Sequence, residues 1–229
     1  LAAKTLKPCL LELGGNDAFI VLADADLDLA VSEAIAGRLL FSGQVCCASK
    51  RFLVHNSVRE TFTNKLITAL ESVVCGDPLD PAVQVGPVIN EEAAKKIEEQ
   101  VNRIIEQGGR LLLGGERNGT FFEITVLTDV PPTSDVAKDE EIFGPVIPII
   151  GFDTTQEAIS IANASSYGLN SCVFSSNASE AMTVAYAMQA GTAVINGSGL
   201  FRSNEMPFGG HKRSGLGTEG TLTSLEECS

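Results

Sequence analysis

The sequence predicts an α/β fold in which helices cover both faces of a mostly parallel sheet, a three-layer α/β/α arrangement. Segments with apolar residues at helical spacing alternate along the chain with short apolar segments of strand length. Such alternation is typical of parallel strands joined by crossover helices. A composition of 44% hydrophobic and 20% charged residues over 229 residues is that of a globular protein rather than a disordered one.

The helices are predicted from apolar spacing and from residues that begin or end helices. The first predicted helix covers 27–39, and Gly43 ends that segment. The second begins at a capping box, Ser57–Glu60, and the third is capped by Asn90 and has the core stripe Ala94, Ile97, Val101, Ile104 and Ile105. The last two cover 155–164 and, after Asn177, 178–189.

The strands are predicted from short apolar runs between these helices. They are 51–55, 110–113, 121–127, 145–152, 170–174 and 192–195. The glycine-rich segment 196–220 fits neither element. A long loop in a compact domain is usually functional, so this segment is a candidate for part of a site.

The charge balance excludes several function classes. With 16 basic and 29 acidic residues the net charge is −13, which argues against a nucleic-acid partner and against docking on an anionic membrane. No run of about 18 apolar residues predicts a membrane span. We expect a cytoplasmic protein, and the absence of an initiator Met suggests a chain that begins inside a longer protein.

The cysteines indicate reduced thiols rather than a disulfide framework or a zinc site. Only two of the six are adjacent, and the sequence has no C-x-x-C pattern and no Cys/His cluster. No metal site is predicted. The cysteines are Cys9, Cys46, Cys47, Cys75, Cys172 and Cys228.

Residues 41–50 could carry chemistry, because Cys46 and Cys47 follow the flexible Gly43 directly between a helix and a strand. Backbone N–H groups in such a turn can lower a thiol pKa and bind an oxyanion. The alternative is a small buried thiol, which is what most free cysteines are.

Two acidic segments are further candidates. Glu12 lies among apolar residues, where burial would raise its pKa toward the range of a general base; alternatively it pairs with a cation or points to water. In residues 138–145, Glu141 could hold a ribose diol and Phe143 could pack on a flat ring. The alternative is a solvated acidic turn with Phe143 in the core.

Four segments, in this order and spacing, resemble the aldehyde dehydrogenase superfamily. The resemblance covers nearly the whole chain and implies a fold of the aldehyde dehydrogenase catalytic-domain type. The segments are Leu11-Glu-Leu-Gly-Gly15, Gly43-Gln-Val-Cys46, Glu141-Ile-Phe-Gly-Pro145 and Pro207-Phe-Gly-Gly-His-Lys-Arg-Ser-Gly215.

The resemblance implies roles for individual residues. Cys46 matches the family's nucleophile, and Glu12 matches the general base. Glu141 matches the carboxylate that holds the nicotinamide ribose of NAD or NADP, and Phe143 the aromatic near the nicotinamide. In the substrate pocket, Cys47 matches a neighbour of the nucleophile and Phe208 a residue near the channel. The implied reaction oxidises a small-molecule aldehyde to a carboxylic acid through a Cys46 thiohemiacetal and thioester.

The resemblance also implies that parts of the family's structure lie outside the chain. Residues 1–229 match the catalytic domain, residues 1–16 match the connection from the cofactor domain, and residues 215–229 lead toward an oligomerisation strand. We therefore expect the parent enzyme to be a homo-oligomer. The isolated chain is expected to be inactive or nearly so.

The substrate and two competing functions stay open. Arg202 could bind an anionic group of the aldehyde, or it could pair with Glu205 or lie in solvent. Cys46 and His211 could instead form a thiol hydrolase dyad. A third possibility is a non-catalytic interaction module with exposed apolar surfaces.

Overall fold

A computed structural model describes residues 2–227 and 229, so Leu1 and Cys228 lie outside the described residues. Thirteen strands form in this part of the chain. In chain order they are β1 (Leu11–Glu12), β2 (Asp17–Val21), β3 (Ser49–His55), β4 (Arg110–Leu113), β5 (Arg117–Asn118), β6 (Phe121–Phe122), β7 (Thr125–Thr128), β8 (Val146–Phe152), β9 (Tyr167–Gly168), β10 (Asn170–Phe174), β11 (Thr192–Ile195), β12 (His211–Lys212) and β13 (Gly215–Leu216).

Seven α-helices connect the strands within the described residues, and 3-10 turns cover Ala2–Thr5 and Leu40–Gly43. None of these helices has the length and apolar character needed to cross a membrane. The helices are α1 (Leu27–Leu39), α2 (Asn56–Leu70), α3 (Glu91–Glu106), α4 (Asp135–Lys138), α5 (Thr155–Asn163), α6 (Ala178–Ala187) and α7 (Thr221–Glu227).

Seven strands form the central sheet in the order β11-β10-β2-β3-β8-β7-β4. All neighbouring strands run parallel except β4, which is antiparallel to β7 at one edge. The mostly parallel α/β fold predicted from the sequence is therefore confirmed.

Alternation along β2 shows the three layers. Ala18 and Ile20 face a core shared with α3, α5 and α6, and Phe19 and Val21 face a second core shared with α1 and α2. Successive side chains of a strand point to opposite faces, so a strand buried on both sides is apolar throughout. Phe19 stacks on Phe174 with ring centroids 4.6 Å apart.

The structure confirms several predicted elements closely and corrects others. The helix capped by Asn90 is confirmed, since the Asn90 side chain accepts from the Ala93 N–H at 2.8 Å. The predicted capping box is wrong: α2 begins at Asn56, and the His55 ring accepts from the Ser57 N–H. Ile105 was predicted in the core but is 40% exposed, because it lies beyond the side of α3 that faces the sheet.

Candidate active site

Three of the motif segments meet where β2, β3 and β8 begin. A side chain on Gly15 would lie 2.8 Å from the Cys46 carbonyl oxygen, and a side chain on Gly14 would collide with the Glu141 carboxylate. A side chain on Gly43 would likewise collide with the Gly144 carbonyl. The glycines are required because backbones and a carboxylate approach one another within van der Waals distance here.

Cys46 lies in a turn of residues 40–48, the Cys46 turn, with an uncommon backbone. Phe41, Ser42 and Gly43 have φ values of 52°, 58° and 76°, three consecutive left-handed residues. Side chains compensate for this conformation. The Ser42 hydroxyl donates to the Gly86 carbonyl at 2.9 Å, and the Gln44 amide accepts from the Ile89 N–H at 2.8 Å. Strain of this kind is often retained at functional sites.

The two adjacent thiols differ in acidity. The Cys47 side chain forms a hydrogen bond with Cys46, and this contact, together with the Lys50 charge and backbone N–H groups, lowers the pKa of the Cys46 thiol to about 6 despite burial. The same contact and burial raise the pKa of the Cys47 thiol. Cys46 is therefore the more acidic of the two thiols, and its thiolate would accept a hydrogen bond from the Cys47 thiol.

Lys50 joins the Cys46 turn to Glu141. Its side chain is 1% exposed, and its ammonium donates to the carbonyls of Val45 at 3.0 Å and Cys46 at 2.5 Å. The same ammonium lies 3.1 Å from Glu141 Oε1. Sequence analysis missed Lys50, since a lysine at the start of a strand is usually solvated.

Glu141 and Phe143, the two residues expected at a cofactor, lie beside this cluster. Glu141 Oε1 also accepts from the Gly15 N–H at 3.1 Å, and the side chain is 18% exposed. The Phe143 ring is 43% exposed, so it is not in the core, and it lies 5.7 Å from the Lys50 ammonium. The solvated acidic turn considered as an alternative does not describe Glu141.

Glu12 is exposed on β1 rather than buried among the apolar residues around it. β1 pairs with β13, and Glu12 lies opposite Gly215. Partial burial, a hydrogen bond with Glu219 and the Cys46 charge raise the pKa of Glu12. Glu219 is a second residue that sequence analysis missed; it comes from the glycine-rich segment, which carries no periodic signal.

Arg202 and Phe208 form one unit with Glu219. Phe208 is 3% exposed and exchanges backbone hydrogen bonds with Glu219 at 2.8 and 2.7 Å. The Arg202 guanidinium stacks 4.1 Å from the Phe208 ring centroid and forms an ion pair with Glu219, which lowers the pKa of that carboxyl. The partner of Arg202 is therefore Glu219 and not the Glu205 considered from the sequence.

A buried acid, Asp17, lies at the start of β2 and was also missed. Burial raises the pKa of its carboxyl to about 7, against the opposing charges of Lys50 and Arg51. Arg51 is itself buried and donates to four backbone carbonyls, among them Asn16 at 2.6 Å. Within the described residues, no three His, Cys, Asp or Glu side chains form a group suited to a metal ion.

His211, considered as a partner for Cys46, lies on β12 opposite Gly168 of β9 with its side chain exposed. The side chains that lower the pKa of the Cys46 thiol are Cys47 and Lys50. The geometry therefore gives the hydrolase dyad no specific support.

Comparisons with known proteins agree on one family. The model of the aldehyde dehydrogenase family matches residues 1–229. A lactaldehyde dehydrogenase of Methanococcus maripaludis is 41% identical over 97% of this chain and 47% of its own length. An NADP-dependent succinate-semialdehyde dehydrogenase of Deinococcus radiodurans is 43% identical over 96% of this chain and 46% of its own.

The structural comparison gives the same result. The crystal structure of a Staphylococcus aureus betaine aldehyde dehydrogenase in complex with NAD+ has a TM-score of 0.94 and 39% identity, over 99% of this chain and 46% of that chain. The chain thus spans about half the length of the curated relatives it matches. Because the family model matches residues 1–229 of the chain and three of the motif segments meet in the fold, the chain belongs to the aldehyde dehydrogenase family.

Proposed function

We propose that residues 1–229 are the catalytic portion of an NAD- or NADP-dependent enzyme that oxidises an aldehyde to a carboxylic acid. The observation that carries this proposal is the position of Cys46, in a turn that the buried Lys50 ammonium joins to Glu141 and within electrostatic reach of Glu12. We further propose that residues 1–16 connect to a cofactor domain and that residues 215–229 lead to a subunit contact.

The chain supplies both covalent steps on the carbonyl carbon. The Cys46 thiolate adds to that carbon, and the resulting oxyanion accepts from the Cys46 N–H. After oxidation the acyl group is a Cys46 thioester. Glu12 then takes a proton from the water that attacks the thioester, which releases the acid and restores the thiolate. A raised pKa suits Glu12 to this role, because it brings the carboxylate closer to the pKa of an effective base.

Glu141 and Phe143 fit a nicotinamide dinucleotide. The partly exposed carboxylate suits a ribose diol, and the exposed face of Phe143 suits a flat ring. The chemistry that a bound NAD+ or NADP+ supplies is hydride acceptance.

For the substrate, we propose that Arg202 and Phe208 lie at the mouth of the channel and Cys47 beside the nucleophile. Arg202 is held by Glu219 in an ion pair that is 41% and 32% exposed. Exposed ion pairs are weak, so an anionic group on the aldehyde could share the guanidinium. Succinate semialdehyde, named for one relative, carries such a carboxylate.

We also propose that the 229-residue polypeptide alone does not sustain turnover, that the full-length enzyme is a homo-oligomer, and that it works in the cytoplasm. A sustained NADH or NADPH signal from the purified chain with aldehyde and dinucleotide would contradict the first of these. The half-reaction on Cys46 needs no dinucleotide and can be tested separately.

That test uses p-nitrophenyl acetate, an activated ester that acylates thiolates. The chain should release nitrophenol and carry acetyl on Cys46, found by peptide mass spectrometry, and Glu12→Gln should accumulate the acetyl form. Cys75→Ala, which removes an exposed thiol, is the matched control and should behave as the wild type. Deacylation that depends on His211 rather than Glu12 would favour a hydrolase, and acetylation spread evenly over the cysteines would reject Cys46 as the nucleophile.

A further inference from the structure

We propose that Lys50 is a positioning residue for Cys46, whose buried ammonium fixes the Cys46 turn against Glu141 and places a positive charge beside the thiol. This inference rests on the proposed function only in taking Cys46 as the nucleophile. It concerns a side chain that contacts neither the aldehyde nor the reacting carbon directly, and that acts through the turn and through its charge.

The first support is the use of all of the ammonium's donors. A lysine ammonium has three N–H donors, and Lys50 has three acceptors within reach: the carbonyls of Val45 and Cys46 and Oε1 of Glu141. Two of these acceptors belong to the Cys46 turn, one in each of the two peptide bonds that flank Cys46. The contacts therefore restrain the residue that carries the thiol.

The second support is the cost of burying the group. A charged ammonium that is 1% exposed is unfavourable unless opposite charges face it. Glu141 contacts it, and Asp17 of β2, when ionised, adds a second attraction, whereas the buried Arg38 of α1 repels it. A site that needed only packing at this position could use an apolar side chain at no such cost.

The third support is the set of charges around the thiol. Glu12 from β1 and Asp17 from β2 interact unfavourably with an ionised Cys46, and Lys50 from β3 interacts favourably. Cys46 also follows the carboxyl end of α1, whereas acidic thiols commonly lie at the amino end of a helix. Among the groups that lower the pKa of the Cys46 thiol, the cation is thus Lys50.

The test measures the pH midpoint of Cys46 alkylation by iodoacetamide, followed for each cysteine by peptide mass spectrometry. Three variants separate charge from hydrogen bonding: Lys50→Arg keeps both, Lys50→Gln keeps donors without charge, and Lys50→Met keeps neither. Lys65→Met, the same change at a half-exposed position on α2, is the control. Protection of the buried Cys172 reports that each variant is folded.

We expect the midpoint to rise by at least one pH unit in Lys50→Gln and Lys50→Met, which lowers the thiolate fraction at pH 6 about fivefold, from about one half to about one tenth. In Lys50→Arg the midpoint should stay close to the wild-type value, and Lys65→Met should not move the midpoint. An unchanged midpoint in a folded neutral variant would overturn the proposal, as would an equal rise in all three Lys50 variants. The measurement uses neither aldehyde nor dinucleotide, so it can succeed even if the dehydrogenase assignment fails.

Discussion

The Asp17 carboxylate accepts a hydrogen bond from the Asn170 N–H at 3.1 Å, which joins the first residues of β2 and β10 in the interior of the protein. The other carboxylate oxygen of Asp17 is buried and has no hydrogen-bond partner among the described residues. The acid is thus held in place by one bond and penalised by burial, which raises its pKa to about 7.

Asp17→Asn should therefore change the pH dependence of stability. A carboxyl whose pKa is raised on folding stabilises the folded state while protonated, and this contribution is lost as pH rises from about 4 to about 7. The unfolding free energy of Asp17→Asn minus that of the wild type should therefore be higher at pH 8 than at pH 4.5, by on the order of 1 kcal/mol or more. Urea unfolding at both pH values measures this gain.

Asp139→Asn is the control for that experiment, because hydrogen bonds from Ser165 and Ser166 lower the pKa of Asp139. The contribution of Asp139 to stability is lost only as pH falls below the ordinary range of an Asp. The change in unfolding free energy caused by Asp139→Asn should therefore be the same at pH 4.5 and 8. A parallel change in both variants would contradict the assignment of the slope to Asp17.

Gly43→Ala should disrupt the Cys46 turn. Its φ of 76° strains an alanine, and the added methyl would collide with the Gly144 carbonyl. Gly119→Ala is the matched control, since Gly119 has a φ of 60° but open space around it. We expect about 1 kcal/mol of destabilisation for Gly119→Ala and clearly more for Gly43→Ala, together with slower alkylation of Cys46. Equal losses of unfolding free energy would show that the close approach to Gly144 is unimportant.

Glu219→Gln should make Glu12 a base at lower pH. The Glu219 charge and hydrogen bond raise the pKa of Glu12; glutamine removes the charge and can donate to the Glu12 carboxylate, so the pKa of Glu12 falls. The acid limb of acetyl-Cys46 hydrolysis should then shift to lower pH, as followed by mass spectrometry from pH 4 to 8. Glu226→Gln, an exposed change on α7, should leave the profile unmoved. A shift to higher pH would contradict the coupling between the two carboxyls.

Arg202→Ala tests the substrate class in a full-length enzyme that contains this sequence. We expect KM to rise about tenfold for an anionic aldehyde such as succinate semialdehyde and much less for a neutral one, because only the former uses the guanidinium. Arg110→Ala, a 64% exposed arginine side chain on β4, is the control. Equal effects on the two aldehydes would show that Arg202 binds Glu219 and does not bind the anionic group of the substrate.

The elements with clear local signals were predictable from the sequence. β10 and β11 occupy the predicted residues, and α3 begins at its predicted cap because Asn90 and the apolar stripe act within the same helix. By contrast, β2 was not predicted. It is a short apolar run buried on both faces, and it has neither the alternation nor the helical spacing on which such predictions depend.

Within the site, the sequence indicated Cys46, Glu12, Glu141 and Phe143, and the fold brings their segments to one end of the sheet; their roles remain predictions. Lys50, Asp17 and Glu219 could not be found this way. A charged side chain is buried only where partners face it, and the partners of Lys50 include Glu141, which is far away in the chain. Only the tertiary structure makes such a pair visible.

The order of strands in the sheet also dictates when the site can form during synthesis. β2 lies inside the sheet between β3 and β10, and its partner β10 begins 153 residues later in the chain. Contacts between residues this far apart in sequence form slowly, and until they form, the apolar strand β2 has an unpaired edge on the side of β10. Within residues 1–229, Cys46 is therefore made well before β10 and Glu219, and its surroundings are completed only after those residues have been translated.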